Sequence, residues 1–272
     1  MSEPRVVRKR YRLGRRIDYG GMGEVCVAED LEDSGDGRVA VKIIMFVDDT
    51  TMERFRREAR ALQVLKHPDI PAIRDHWVDE DRDNIMYLVM NYVPGPSLKS
   101  IILKYGENGR LVPVEWAVAL AAHVCSVLTY VHGQSIVHRD ITPGNIMIYD
   151  GRVKLIDFGI MLDIQNDEKR LTGPQPIGTQ LYIAPERYNG VEEPPGDMYS
   201  IGQVLAQLLQ HRKPNDIAPR LGKLLSGIPE ERPNAHVAFG WFRSLLPDQT
   251  PQHLDLIGPD GTLLFPTLTT LP

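Results

Sequence analysis

The chain has 272 residues, 42% of them hydrophobic, enough to bury the core of one two-lobed unit or of two small domains. A net charge of −5 at pH 7 excludes nucleic acid as the main partner. Its two cysteines, Cys26 and Cys125, exclude a disulfide framework, and with no run of 18 or more apolar residues and no signal-like N-terminus, a cytoplasmic chain without a membrane span is expected.

Arg5, Arg8, Lys9, Arg10, Arg12, Arg15 and Arg16 run into the first predicted strand and read as a solvated edge. Residues 11–45 read as three strands, with the turn cluster Glu32-Asp33-Ser34-Gly35-Asp36-Gly37 before the third. The spacing of Phe55, Ala59, Leu62 and Leu65 predicts a helix over 51–66, its other face filled by Arg and Glu. Two β-rich stretches, 72–78 and 85–90, complete a small sheet. Tyr92-Val93-Pro94-Gly95-Pro96 then breaks the pattern and reads as a connection. Beyond it the chain turns mainly helical. Val114, Ala117, Leu120, Ala121, Val124, Leu128 and Val131 form one stripe of a helix over 114–132. A second buried helix covers 196–209 and a short third one 221–225. From residue 247 Pro, Thr and Leu alternate without helical period, and Gly258-Pro259-Asp260-Gly261 between two apolar stretches predicts a hairpin. There is no internal repeat.

His138-Arg139-Asp140 is followed by Asn145 and then by Asp157-Phe158-Gly159. Phosphoryl transfer from a nucleotide needs a carboxylate to take the proton of the attacking hydroxyl. It also needs oxygen ligands that hold Mg²⁺ against the phosphates. Asp140 is the candidate base; Asn145 and Asp157 are the candidate metal ligands. Helix-capping roles could account for each residue singly but not for the joint order. With these motifs the chain resembles the eukaryotic-type (Hanks-type) protein kinases, in the serine/threonine branch found in bacteria, over about residues 11–246.

The resemblance implies an α+β, protein-kinase-like bilobal fold. A small β-rich N-lobe covers 1–92, a mainly helical C-lobe with a shortened C-terminal part covers 93–246, and a Pro-rich tail, 247–272, lies outside it. It implies ATP and Mg²⁺ as cofactors, a protein substrate and, as in relatives that pair through the small lobe, a homodimer. Gly20, Gly21 and Gly23 would cover the phosphates, although such a cluster alone more often marks a hairpin turn. Lys42 in Val39-Ala40-Val41-Lys42 would hold the phosphates, with Val25 and Ala40 over the adenine. Glu58 would pair with Lys42; the plain alternative is one more exposed charge on an Arg-rich helix. Met90 lies at the back of the adenine pocket, main-chain groups of Asn91 and Val93 bond the adenine edge, and Met147 belongs to the same set. Leu62 is expected to stack with His138 and Phe158, anchored near Asp197. Arg139 is the candidate to grip a phosphate on the activation segment, residues 157–186, where Thr172 is the candidate acceptor. Glu186 is expected to form an ion pair with Arg232.

Three departures stand out. Asp18 replaces the first glycine of the family's loop and puts a carboxylate near the triphosphate. Thr142 stands where serine/threonine members carry lysine, and Gly144 offers no basic substitute. Losing one such cation costs on the order of 10²–10³ in rate; Thr142 is expected instead to hydrogen-bond Asp140. Between Asp197 and Arg232 the chain is short, so the helix that projects beneath the activation segment is expected to be absent or vestigial. The first reading is a serine/threonine protein kinase; the alternative is a pseudokinase, a nucleotide-binding scaffold. Lys42, Glu58, Asp140, Asn145 and Asp157 favour the enzyme, whereas Asp18, Thr142 and the short C-lobe favour the scaffold. A small-molecule kinase is the third, and Ala184-Pro185-Glu186 with Thr179 argues against it.

Overall fold

The computed structural model divides the chain into two compact units, with the described residues up to Val93 in the first and those from Pro94 in the second. The structure describes residues 5–20, 23–33, 35, 37–45, 49–79, 85–159, 179–210, 212 and 214–246. Gly21, Thr172 and the expected tail with its hairpin lie outside the described residues.

In the first unit, β1 (Val6–Val7), β2 (Tyr11–Gly20), β3 (Gly23–Asp30), β4 (Arg38–Ile44), β5 (Ile73–Asp79) and β6 (Ile85–Asn91) form one antiparallel sheet, ordered β1-β2-β3-β4-β6-β5. Side chains alternate along each strand, and residues directly opposite one another share a face. One face carries the buried Val7, Tyr11, Ala28, Val39, Val41, Ile43, Tyr87 and Val89. Over them Trp77 stacks between Tyr11 and Tyr87, at 5.8 and 4.6 Å between ring centroids.

The other face receives α1 (Asp49–Leu62), whose Phe55 meets His76 edge-on at 6.2 Å. That helix ends at Leu62, earlier than its periodicity predicts; Leu65 is buried in the turn after it. The basic N-terminal run is exposed apart from the half-buried Arg10, as a solvated edge would be, and several of its arginines also hold carboxylates. Arg8 Nη1 donates to both Asp75 oxygens at 2.7 and 2.8 Å, Arg10 forks through Nε and Nη2 onto the buried Asp30 at 2.7 and 2.8 Å, and Arg12 bonds Glu29 at 2.7 Å. These arginines staple β1 and β2 to their neighbours.

The second unit is built on α3 (Val114–Gly133), buried on nearly every side. By length and composition α3 could cross a membrane, yet 67% of its most apolar window is buried inside the protein, as in a core helix. It packs on α4 (Pro194–Leu209) and α6 (Ala235–Arg243), and α5 (Ala218–Leu224) packs on α4. A Cβ at Gly202 of α4 would lie 2.9 Å from Leu224 and Leu225, so the glycine permits this close approach. Among the described residues, 210–217 hold no helix, in line with the expected shortening. Arg212 closes the end of α4 by donating to the carbonyls of Leu208, Leu209 and Val112.

Two helices escaped the sequence reading. One is α2 (Leu98–Glu107), capped by Ser97, whose hydroxyl accepts from the Ser100 N–H. The other is α6, capped by Asn234 in the same way. In α2 the buried Leu98, Ile101 and Tyr105 follow helical spacing, a signal that was available.

Candidate active site

A two-strand hairpin aligns the candidate metal ligands. β7 (Ile146–Tyr149) and β8 (Arg152–Leu155) pair antiparallel, with Ile146 opposite Leu155. Asp150 and Gly151 form the turn with φ of 53° and 67°, the left-handed pair that a tight Asp-Gly hairpin requires. Asn145 and Ile156 therefore emerge side by side at the open end, where the Ile156 N–H donates to the Asn145 carbonyl at 3.0 Å. Asp157 follows with φ of 57°, and the Gly159 N–H donates to the His138 carbonyl at 2.9 Å. The 138–145 loop and the Asp157-Phe158-Gly159 segment are thus joined at two points.

Within the loop, the Asn145 amide donates both hydrogens to Asp140, to its carbonyl at 2.9 Å and to carboxylate Oδ2 at 2.7 Å. That leaves the Asn145 carbonyl oxygen as the group available to a cation. With the Asp157 carboxylate it would make an oxygen donor set of the kind Mg²⁺ takes, completed by water and substrate phosphates. The residues fit the metal. Among the described residues there is no cluster of three or more His, Cys, Asp or Glu that would favour another ion. Thr142 takes part through its carbonyl, which accepts from the Asn145 N–H at 3.0 Å; the bond oriented on the Asp140 carboxylate comes from Asn145.

Beneath the loop lies Asp197 of α4, fully buried. Its carboxylate accepts from the N–H groups of His138 and Arg139, both at 2.8 Å. It also contacts His132 Nε2 at 2.9 Å and Arg187 at 2.7 Å. Burial alone would raise its pKa, but the His132 bond and the Arg187 charge outweigh burial and hold the carboxyl well below the usual range. Arg139 has φ of 70°; each left-handed non-glycine residue costs about 1–3 kcal/mol, and such positions persist only where surrounding bonds fix them. His138 packs on Phe158 at 4.3 Å between centroids, the part of the expected stack that lies in this unit. Burial pushes its imidazole down to about 4, so it is neutral near pH 7.

In the first unit, strand register assembles the nucleotide-facing candidates. One cross-strand row runs Asp18, Val25, Lys42, Leu88 and His76; the next holds Ala40 opposite Met90. Val25, Lys42, Ala40 and Met90 therefore share the face on which α1 packs. On α1, Glu58 follows Phe55 by three and precedes Leu62 by four, on the sheet-facing stripe. It is half-buried, with Oε2 shielded from solvent, which does not suit an exposed helix charge. Gly23 has φ of 134°, and a Cβ there would sit 2.0 Å from the Ile43 carbonyl oxygen. This glycine is needed for β3 to lie against β4, whatever else it does. Gly20 pairs with Gly23 across the hairpin.

Asn91 is more committed than the sequence suggested. Its N–H donates to the Ala72 carbonyl at 3.0 Å and its side-chain oxygen accepts from Arg74 at 2.6 Å. Val93 is half-buried at the end of the unit. In the second unit Met147 is half-buried on β7 and bridges to Ser97. The expected Glu186–Arg232 pair forms, with two bonds of 2.5 and 2.8 Å. The sequence reading missed Arg187, and its position next to Glu186 gave no signal of burial.

The family model for the protein kinase domain matches residues 11–225. Serine/threonine-protein kinase PrkC of Bacillus subtilis is 37% identical over 231 residues, covering 83% of this chain and 34% of PrkC. Serine/threonine-protein kinase PknB of Mycobacterium tuberculosis is 36% identical over 221 residues, covering 79% of this chain and 34% of PknB. The chain spans about a third of the length of these curated relatives. The solved PknI kinase domain of Mycobacterium tuberculosis has the same fold, with a TM-score of 0.69 at 23% identity over 86% of this chain and 95% of that one. On the strength of the family-model match over residues 11–225 and of the 36–37% identical relatives, the chain belongs to the protein kinase family.

Proposed function

We propose that this chain transfers the γ-phosphoryl group of ATP to serine or threonine hydroxyls of proteins. The observation that carries the reading is the Asn145 amide, whose nitrogen holds the Asp140 carboxylate at 2.7 Å, so that its oxygen is the atom that would serve a cation. Asp140 takes the hydroxyl proton as the oxygen attacks the γ-phosphorus and the bond to the leaving ADP oxygen breaks. Asn145 and Asp157 would hold Mg²⁺, which when bound neutralises charge on the phosphates. Lys42 would grip the phosphates, with Glu58 fixing its ammonium. In this reading residues 1–92 serve as the N-lobe and 93–246 as the C-lobe.

Thr142 leaves the transferring group without the lysine that usually faces it, and a slow enzyme follows. The test is incubation with labelled ATP, Mg²⁺ and a generic protein acceptor, comparing wild type, Asp140→Asn and Thr142→Lys. Label on serine or threonine that disappears in Asp140→Asn supports the proposal, and a gain of about 10²-fold in Thr142→Lys supports the missing-cation argument. Nucleotide binding without any transfer in wild type or Thr142→Lys would favour the scaffold instead.

A further inference from the structure

Arg187 is 4% exposed and stands in the short 3-10 helix Pro185–Asn189. Its guanidinium donates through Nη1 to the Arg139 carbonyl at 2.5 Å and through Nη2 to Asp197 Oδ1 at 2.7 Å. The same Oδ1 accepts the Arg139 N–H at 2.8 Å. Three hydrogen bonds thus close a ring around one residue, and that residue has the left-handed φ of 70°. The next residue in the chain is Asp140. Glu192 lies 3.4 Å from Arg187 Nε. Space for the guanidinium comes from Gly196, where a Cβ would sit 2.6 Å from Nε and 2.9 Å from Cζ and Nη2.

We infer that Arg187 is a positioning residue for the catalytic base, clamping the Arg139 peptide against Asp197 and tying Asp140 to the helix that ends the activation segment. Neutralising Asp197 would need only a positive charge nearby. The bond to the Arg139 carbonyl needs a planar fork, which lysine cannot supply. The role in turnover rests on the proposed phosphoryl transfer; the clamp itself does not.

Arg187→Lys keeps the charge and loses the fork, while Gly196→Ala keeps the arginine and pushes its flexible tip out of place. Both are compared with wild type by steady-state kinetics and by hydrogen–deuterium exchange of the full chain. In each variant kcat should fall about 10- to 100-fold with KM for ATP unchanged. Amides of His138, Arg139 and Asp140 should exchange faster, while those of the six-stranded sheet keep wild-type rates. Wild-type kcat and exchange in Arg187→Lys would reduce Arg187 to charge balance and overturn the inference. If the wild type transfers no phosphoryl group, the proposed function fails, and the exchange at residues 138–140 still decides the clamp by itself.

Discussion

His138 shows how burial of one side chain sets a property of the whole unit. Burial outweighs the nearby carboxylates of Asp197 and Asp157 and brings its pKa to about 4, against roughly 6.5 in an unfolded chain. Between those values the unfolded chain takes up a proton that the native ring refuses. The native state therefore has its full stability above about pH 6.5 and loses about 3 kcal/mol as pH falls to 4. Urea titrations at several pH values, wild type beside His138→Phe, should place that slope in the wild type and remove it from the variant; equal slopes would contradict it. At this scale the closeness of Asp140 to Asn145, and of Asn145 to the segment carrying Asp157, was legible because the three residues are near one another in the chain. Arg187 was not, because its burial depends on Gly196 and on a partner 48 positions away. Asp18 was legible as a departure, and the register puts it in the row of Lys42.

Elements were read best where periodicity was long. The stripe from Val114 to Val131 gave α3 almost to the residue, whereas α2 and α6, short and marked mainly by Ser97 and Asn234 caps, were passed over. The exposed N-terminal basic edge was legible, but its ion pairs were not, because strand pairing, invisible in one sequence, brings Asp75, Asp30 and Glu29 beside the arginines. The connection between the 3-10 helix Pro185–Asn189 and the segment after α5 was legible as an ion pair. There the Arg232 side chain is fully buried on Glu186, and its guanidinium also bonds the carbonyls of Ser226 and Pro195. Arg232→Met strands the Glu186 carboxylate and should cost about 3–5 kcal/mol in urea unfolding. The double variant with Glu186→Leu should recover part of the loss, and strictly additive losses would mean that the pair is not coupled.

At the scale of the molecule, the two units were legible from the change of periodicity near Tyr92–Pro96, since a β-rich stretch and a helical stretch need different cores. The sequence named Asp197 as an anchor near His138, but not the way it gathers α3, the 138–145 loop and the 3-10 helix around one carboxylate. The absence of a helix among the described residues between α4 and α5 has a consequence for the proposed selection of targets. If the proposed transfer holds, a chain whose described residues place no helix there gains little from the distant surface of a folded target and reads mainly the handful of residues flanking the acceptor hydroxyl. Short peptides should then match their parent proteins in kcat/KM, and a large preference for the intact protein would mean that some other part of the chain has taken over that task.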